Sequence, residues 1–167
     1  MYEEQPKKPD QSKKKSVWRL IVAALLLGGK LTVGSGAVNV PYSLKSRLED
    51  GQSATNPEEL LGAAHAGCFT MALAAQLSGA GFTPTDIHTG AKISFEKIGD
   101  GFAITRIELD TSADVAGIDD ATFQKFVADA KQNCPVSKAL AAVEIRVKAT
   151  LGQTQRTRTS MQMTAKS

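Results

Sequence analysis

The run from Asn56 to Gly81, NPEELLGAAHAGCFTMALAAQLSGAG, constrains the fold most, because it reads as one long helix with both ends marked and a thiol near its middle. Asn56 suits the N-cap, and Pro57 suits the first helical position, where no amide hydrogen is needed. Glu58 and Glu59 complement the positive end of the helix dipole. At the other end Gly79 and Gly81 can take positive φ, and Pro84 follows shortly. Between these limits Leu60, Leu61, Ala64, Phe69, Met71, Ala72, Leu73 and Leu77 leave almost no polar stripe. A helix apolar all round is a buried one. The expectation is a central helix buried on every side, with Cys68 inside it.

A chain of 167 residues with 42% apolar content can bury a real core, and its length favours one domain. The net charge of +3 sits at the ends: residues 1–16 carry +2 and residues 152–167 carry +3, which leaves the body at −2. A body without a basic stripe, and with 5% aromatic residues, lacks the charge and stacking footprint of a nucleic-acid binder. Two cysteines are too few for a secreted disulfide scaffold. Lys13 to Lys15 precede the apolar run LIVAALLL at 20–27, the outline of a signal peptide. That run is too short to span a bilayer core of about 30 Å, so no stable membrane anchor is expected. Arg19 beside Trp18 interrupts it, and Gly34 to Ala37 is not a clean cleavage signal. A cytoplasmic protein is the first expectation, with export through this segment as the alternative.

In chain order, residues 1–16 read as a disordered basic tail, 17–151 as a single domain with an atypical stretch at 17–35, and 152–167 as a flexible C-terminal tail. Gly28 and Gly29 break the first apolar run, Lys30 to Val33 suits a short strand, and Gly34 to Gly36 a turn. Pro41 to Leu48 reads as a second strand, which would place Arg47 near a strand end. Beyond the central helix, Ile87–Ile98 and Phe102–Val115 flank Gly99-Asp100-Gly101, a hairpin signal. The apolar parity of the second run changes near Thr105 and Arg106, which predicts a bulge. From Asp119 or Asp120 a second, amphipathic helix carries Phe123, Phe126, Val127, Ala130 and Cys134 on one face. Pro135 breaks it and opens a short helix to Ala142. Val143 to Leu151 then alternates as a half-buried strand.

Cys68 on its own reads as a small buried hydrophobe. Cys134, before Pro135, lies at a helix start, where unpaired amides favour thiolate, so by spacing it is the better nucleophile. Cys68 lies well inside its helix and needs a cation such as Arg47, or a hydrogen-bond donor, to ionise. His65 is three positions before Cys68, on a neighbouring part of the same helical surface. With Cys134 the two suit a metal in residue type, but His88 is the only other histidine and paired zinc-ligand spacing is absent; a neutral His65 packed among alanines is the plainer reading. Glu58 reads equally as a first-turn acid, and Arg47 as a surface cation.

The segments TNPEELLGAAHAGCFTMAL, GFTPT, GFAITRIEL, AGIDDATF and NCPVSKAL together resemble the OsmC family of thiol-dependent peroxidases, relatives of the organic hydroperoxide resistance proteins. The resemblance covers about Gly36 to Leu151, and HAGC at 65–68 is similar to the OsmC branch. It implies an α+β fold in which a long central helix is wrapped by antiparallel sheets in an intertwined homodimer, with two active sites at the subunit interface. It further implies that Cys68 attacks peroxide and Cys134 resolves, reversing the preference from spacing. Arg47 in YSLKSR would stabilise the thiolate and Glu58 in NPEE would orient Arg47. The implied activity is reduction of organic hydroperoxides, and more weakly hydrogen peroxide, in oxidative and osmotic stress defence. No bound cofactor is implied; the reductant would be an external lipoyl-type dithiol, on a protein or as a small molecule. RLIVAALLLGGK after Trp18, and the tail beyond Leu151, depart from the family pattern. A non-enzymatic binding or structural protein on the same fold, with inert or metal-bound thiols, is the competing reading.

Overall fold

The computed structural model describes residues 28–49 and 53–152. The expectations for the basic tail, for the apolar run at 20–27 and for the chain after Gly152 lie outside the described residues. The chain divides into two compact units, one ending at Leu60 and the other beginning at Leu61.

In the first unit, β1 (Gly28–Thr32) pairs antiparallel with β2 (Asn39–Ser43). Gly28 and Gly29 are the first two residues of β1. A Cβ on Gly28 would stand 2.5 Å from the Tyr42 carbonyl oxygen, so the two backbones approach too closely there for any other residue. The stretch read as a strand to Leu48 ends at Ser43 and turns into a short helix, α1 (Leu44–Leu48). The cause is a capping box: the Ser43 hydroxyl accepts from the Ser46 amide at 3.0 Å, and Ser46 Oγ accepts from the Ser43 amide at 3.1 Å. Arg47 therefore projects from a helix rather than a strand.

The long helix α2 (Pro57–Gly79) starts as its sequence predicts, with Asn56 Oδ1 accepting from the Glu59 amide at 2.8 Å. In the second unit, β3 (Pro84–Ile98) and β4 (Gly101–Val115) form the expected hairpin, and Gly99 takes φ +58° in the two-residue turn. Ser94 pairs with Arg106 but Phe95 with Ile104, so Thr105 is the extra residue of a bulge, where the parity change predicted one. Asp119 caps α3 (Asp120–Asn133) through a hydrogen bond from the Thr122 amide. Cys134 ends α3 and opens α4 (Pro135–Ala139). The last strand, β5 (Glu144–Gly152), lies beside β4 and runs parallel to it. The expected antiparallel pairing holds for β1-β2 and β3-β4, while β5 makes the three-stranded sheet β3-β4-β5 mixed, because α3 and α4 form a crossover that returns the chain in the direction of β4.

Alternation along β4 turns Ile107, Leu109, Thr111, Ala113 and Val115 to one face, and all five are buried. On that face Phe69, Leu73 and Leu77 of α2 and Phe123, Val127 and Ala130 of α3 form one core with them. Gly62 brings α2 close to the sheet, since a Cβ there would lie 3.4 Å from Ala91 Cβ. A hydroxyl chain ties helix to sheet: Thr70 Oγ1 donates to Thr89 Oγ1 and Thr89 contacts Thr111 Oγ1, each at 2.8 Å. All-round burial of α2 does not hold within the single chain. One sheet covers one side of a helix, and the opposite side, with Ala63, Ala64, Gly67, Met71 and Ala75, is exposed. Met71 is 72% exposed.

Candidate active site

The four residues singled out from the sequence form two close pairs. Arg47 and Glu58 make the first. Pro57 starts α2, so Glu58 stands in its first turn, while the Ser43–Ser46 box turns Arg47 out from α1. Arg47 Nε donates to both carboxylate oxygens of Glu58 at 3.0 Å, and Nη2 donates to Oε1. Such a fork fixes the plane of the guanidinium as well as its position. Glu58 is buried and Arg47 about one-third exposed, so one edge of the cation remains near solvent. Glu58 is therefore more than a first-turn acid.

Cys68 and Cys134 make the second pair, both as free thiols. Cys68 lies on α2 one residue before the core residue Phe69 and is partly exposed; Cys134, at the junction of α3 and α4, is wholly buried. The junction exists because Pro135 cannot continue α3: the Cys134 amide still closes that helix on Ala130 O at 2.8 Å, while its carbonyl accepts from Lys138 in the next turn.

The two thiols polarise each other. Cys68 accepts a hydrogen bond from the Val136 amide, which favours its thiolate, but the hydrogen bond it gives to Cys134, partial burial and the repulsion of a second thiolate together raise its pKa. Burial raises that of Cys134, and this is outweighed by hydrogen bonds from the Ser137 amide, the Cys68 thiol, the Ser137 hydroxyl and the Val136 amide, so its pKa falls below the ordinary range. When the pair loses one proton, the charge therefore settles on the buried Cys134 sulfur rather than on Cys68. The preference for Cys134 as thiolate, drawn from its place at a helix start, matches this order of ionisation. Access runs the other way, since only the Cys68 sulfur of the two is in a partly exposed residue.

His65 is fully buried and its Nε2 lies 2.8 Å from Ser137 Oγ. Burial lowers its pKa from 6.5, so the ring is neutral. His88 stands on β3, exposed, and its carbonyl accepts from Thr111. Among the described residues no three His, Cys, Asp or Glu side chains converge as metal ligands would. Ser137 was not singled out from the sequence. Its place three residues after Cys134 is a local signal for a helix-start hydroxyl, but its partner His65 lies 72 positions away.

A family profile described as OsmC-like protein matches residues 49–149. Peroxiredoxin OsmC of Escherichia coli strain K12 is 50% identical over 115 residues, covering 68% of this chain and 80% of the relative; the protein of the same name from Shigella flexneri matches equally. Among solved structures, the organic hydroperoxide resistance protein OhrB of Bacillus subtilis superposes with a TM-score of 0.59 at 26% identity, covering 73% of this chain and 90% of that one. An OsmC-like protein of unknown function from Vibrio cholerae reaches 0.63 at 14% identity, over 74% and 84% of the two chains, a likeness of fold.

Proposed function

This chain belongs to the OsmC-like protein family, and on that premise we propose that it is a thiol-dependent peroxidase whose substrates are organic hydroperoxides. The observation that carries the reading is the pairing of a partly exposed thiol, Cys68, with a buried, ionisation-prone one, Cys134. The buried sulfur takes the proton of Cys68 along their hydrogen bond, which leaves the thiolate on the accessible sulfur. That thiolate attacks the terminal oxygen of the hydroperoxide; the O–O bond breaks, the alkoxide leaves and is protonated to the alcohol, and Cys68 becomes a sulfenic acid. Cys134 then attacks the sulfenic sulfur, expelling water and closing a disulfide. An external dithiol, of the lipoyl type by family resemblance, reduces it by exchange and restores both thiols. Arg47 is proposed as the cation that favours the Cys68 thiolate, with Glu58 fixing its direction; the doubly hydrogen-bonded guanidinium supports this role in chemistry.

The proposed assembly is a homodimer in which a second copy covers the exposed side of α2. An apolar row of Ala63, Gly67, Met71 and Ala75, small apart from the methionine, is suited to close approach by another helix.

The test is peroxide consumption with a dithiol reductant by the wild type, Cys68→Ser and Cys134→Ser, with intact mass after one equivalent of hydroperoxide. Expected are no turnover for Cys68→Ser, and for Cys134→Ser a gain of one oxygen atom at Cys68 instead of a disulfide. Full activity in Cys68→Ser refutes the peroxidase reading. An unchanged wild-type mass after hydroperoxide would identify a non-enzymatic protein.

A further inference from the structure

His65 has no part in the reaction just described, yet its imidazole is fully buried and Nε2 lies 2.8 Å from Ser137 Oγ. Among the described residues this is the side-chain hydrogen bond that joins α2 to α4. Either partner can donate, and the contact has the same length whichever does. Its place in the two helices relates it to the thiols. Cys68 stands three residues after His65 on α2, and Cys134 three residues before Ser137 at the start of α4. The two segments therefore run past each other in opposite directions, with the imidazole–hydroxyl contact as one rung and the two cysteines as the next, about one helical turn away. Cys68 accordingly packs against the buried cluster that contains Cys134.

The backbone that carries Cys134 has few other constraints. At five residues α4 is too short to hold its shape alone, and its Cys134 cap makes no side-chain hydrogen bond. Val136 and Leu140 pack it against the core. Ser137, Lys138 and Ala141 instead border a groove of about 430 Å³, shared with Lys131 of α3 and with Val143, so that side of α4 is unfilled. A disulfide tolerates only about 4.4–6.8 Å between its Cα atoms, a window that the spacing of α2 and α4 has to meet.

We propose that His65 and Ser137 are positioning residues for the disulfide: their hydrogen bond fixes the spacing of α2 and α4 one turn from the thiols and so favours closure of the Cys68–Cys134 bond. The ordering that closure requires is then largely present in the dithiol form. Disulfide stability depends on this spacing whatever the oxidant. Faster resolution of a Cys68 sulfenic acid by Cys134, with water leaving, rests in addition on the peroxidase reading.

The experiment is equilibration with glutathione buffers. Glutathione disulfide takes two electrons and two protons from the Cys68 and Cys134 thiols, which closes the protein disulfide and releases two glutathione thiols. Intact mass after alkylation of free thiols gives the disulfide fraction for the wild type, Ser137→Ala, His65→Leu and His65→Gln. Ser137→Ala removes one oxygen and is expected to lower the equilibrium constant for closure about tenfold, the scale of a buried polar group left without its partner. That is a change of about 30 mV in the couple, in the direction of easier reduction. His65→Leu should shift the couple the same way. His65→Gln, whose side-chain amide can stand near the place of Nε2, should return it toward the wild type. A contact that merely stabilised the fold would lower the urea midpoints of oxidised and reduced protein alike and leave the couple unmoved. A couple unmoved by Ser137→Ala or shifted to favour the disulfide, or a His65→Gln couple displaced as far as that of His65→Leu, overturns the inference. If His65→Leu does not fold, Ser137→Ala and His65→Gln measured against the wild type still decide. A shifted couple in a protein that leaves hydroperoxide unconsumed would sink the peroxidase reading alone; peroxide consumption with an unmoved couple would sink the inference alone.

Discussion

Met71→Asp tests whether the exposed side of α2 is an interface. Full burial of a methionine side chain contributes about 1.5–3 kcal/mol. Because Met71 is 72% exposed in the single chain, a covering partner would gain roughly 1–2 kcal/mol of that per copy. A twofold interface counts the residue twice, or roughly 2–4 kcal/mol. Aspartate forfeits this gain and adds several kcal/mol for each carboxylate taken out of water. The total is at least about 5 kcal/mol, a weakening of self-association by more than about a thousandfold. The monomer's own core is untouched, since Phe69, Leu73 and Leu77 face the sheet from the other side of the helix. Sedimentation velocity over a concentration series should show a dimer for the wild type and for the volume-conserving Met71→Leu, and a monomer for Met71→Asp. A Met71→Asp protein that remains dimeric at the lowest concentration would refute this placement of the interface. A wild type that is monomeric throughout would refute the dimer itself.

Glu58→Gln keeps the shape of the carboxylate but removes its charge from the Arg47 fork. With Glu58 buried and Arg47 partly exposed, the expected cost is roughly 1–2 kcal/mol, between that of a surface pair and a buried one. It should appear as a lower urea midpoint at unchanged slope. The pH dependence of stability should carry the signature of His65. Its folded pKa is lowered from 6.5, so in the window below 6.5 the unfolded chain binds the extra proton; stability is full above 6.5 and falls as pH drops through that window. Melting temperatures from pH 7.5 to about 5 should fall more steeply for the wild type than for His65→Gln, and parallel curves would show that the buried ring does not contribute.

Local chemistry announces itself in this sequence, and much of the fold is local. Asn56 and Pro57 start α2, Gly99 turns the hairpin, the parity change marks Thr105 as a bulge, and Pro135 divides two helices at Cys134; each acts through its own backbone or its nearest neighbours. Where the reading failed, two signals competed at short range or the answer lay in the third dimension. The apolar character of Pro41 to Leu48 suggested a strand, and two serine hydroxyls at capping distance ended it. The parallel pairing of β5 with β4 follows from how the α3–α4 crossover packs, which strand alternation does not encode.

The site divides in the same way. Sequence alone determined that Cys134 would lie at a helix start and ionise readily, because that depends on Pro135 and on the amides just after it. It also brought Arg47, Glu58 and Cys68 forward as candidates through the motifs around them. Only the tertiary structure decided that Cys68 is the more accessible sulfur, that Arg47 and Glu58 are joined by a fork, and that His65 reaches Ser137. Each of these is a contact between segments distant in sequence. The physical reason is that hydrogen-bond direction and burial belong to pairs of groups, and a pair is defined only when packing has brought both members together.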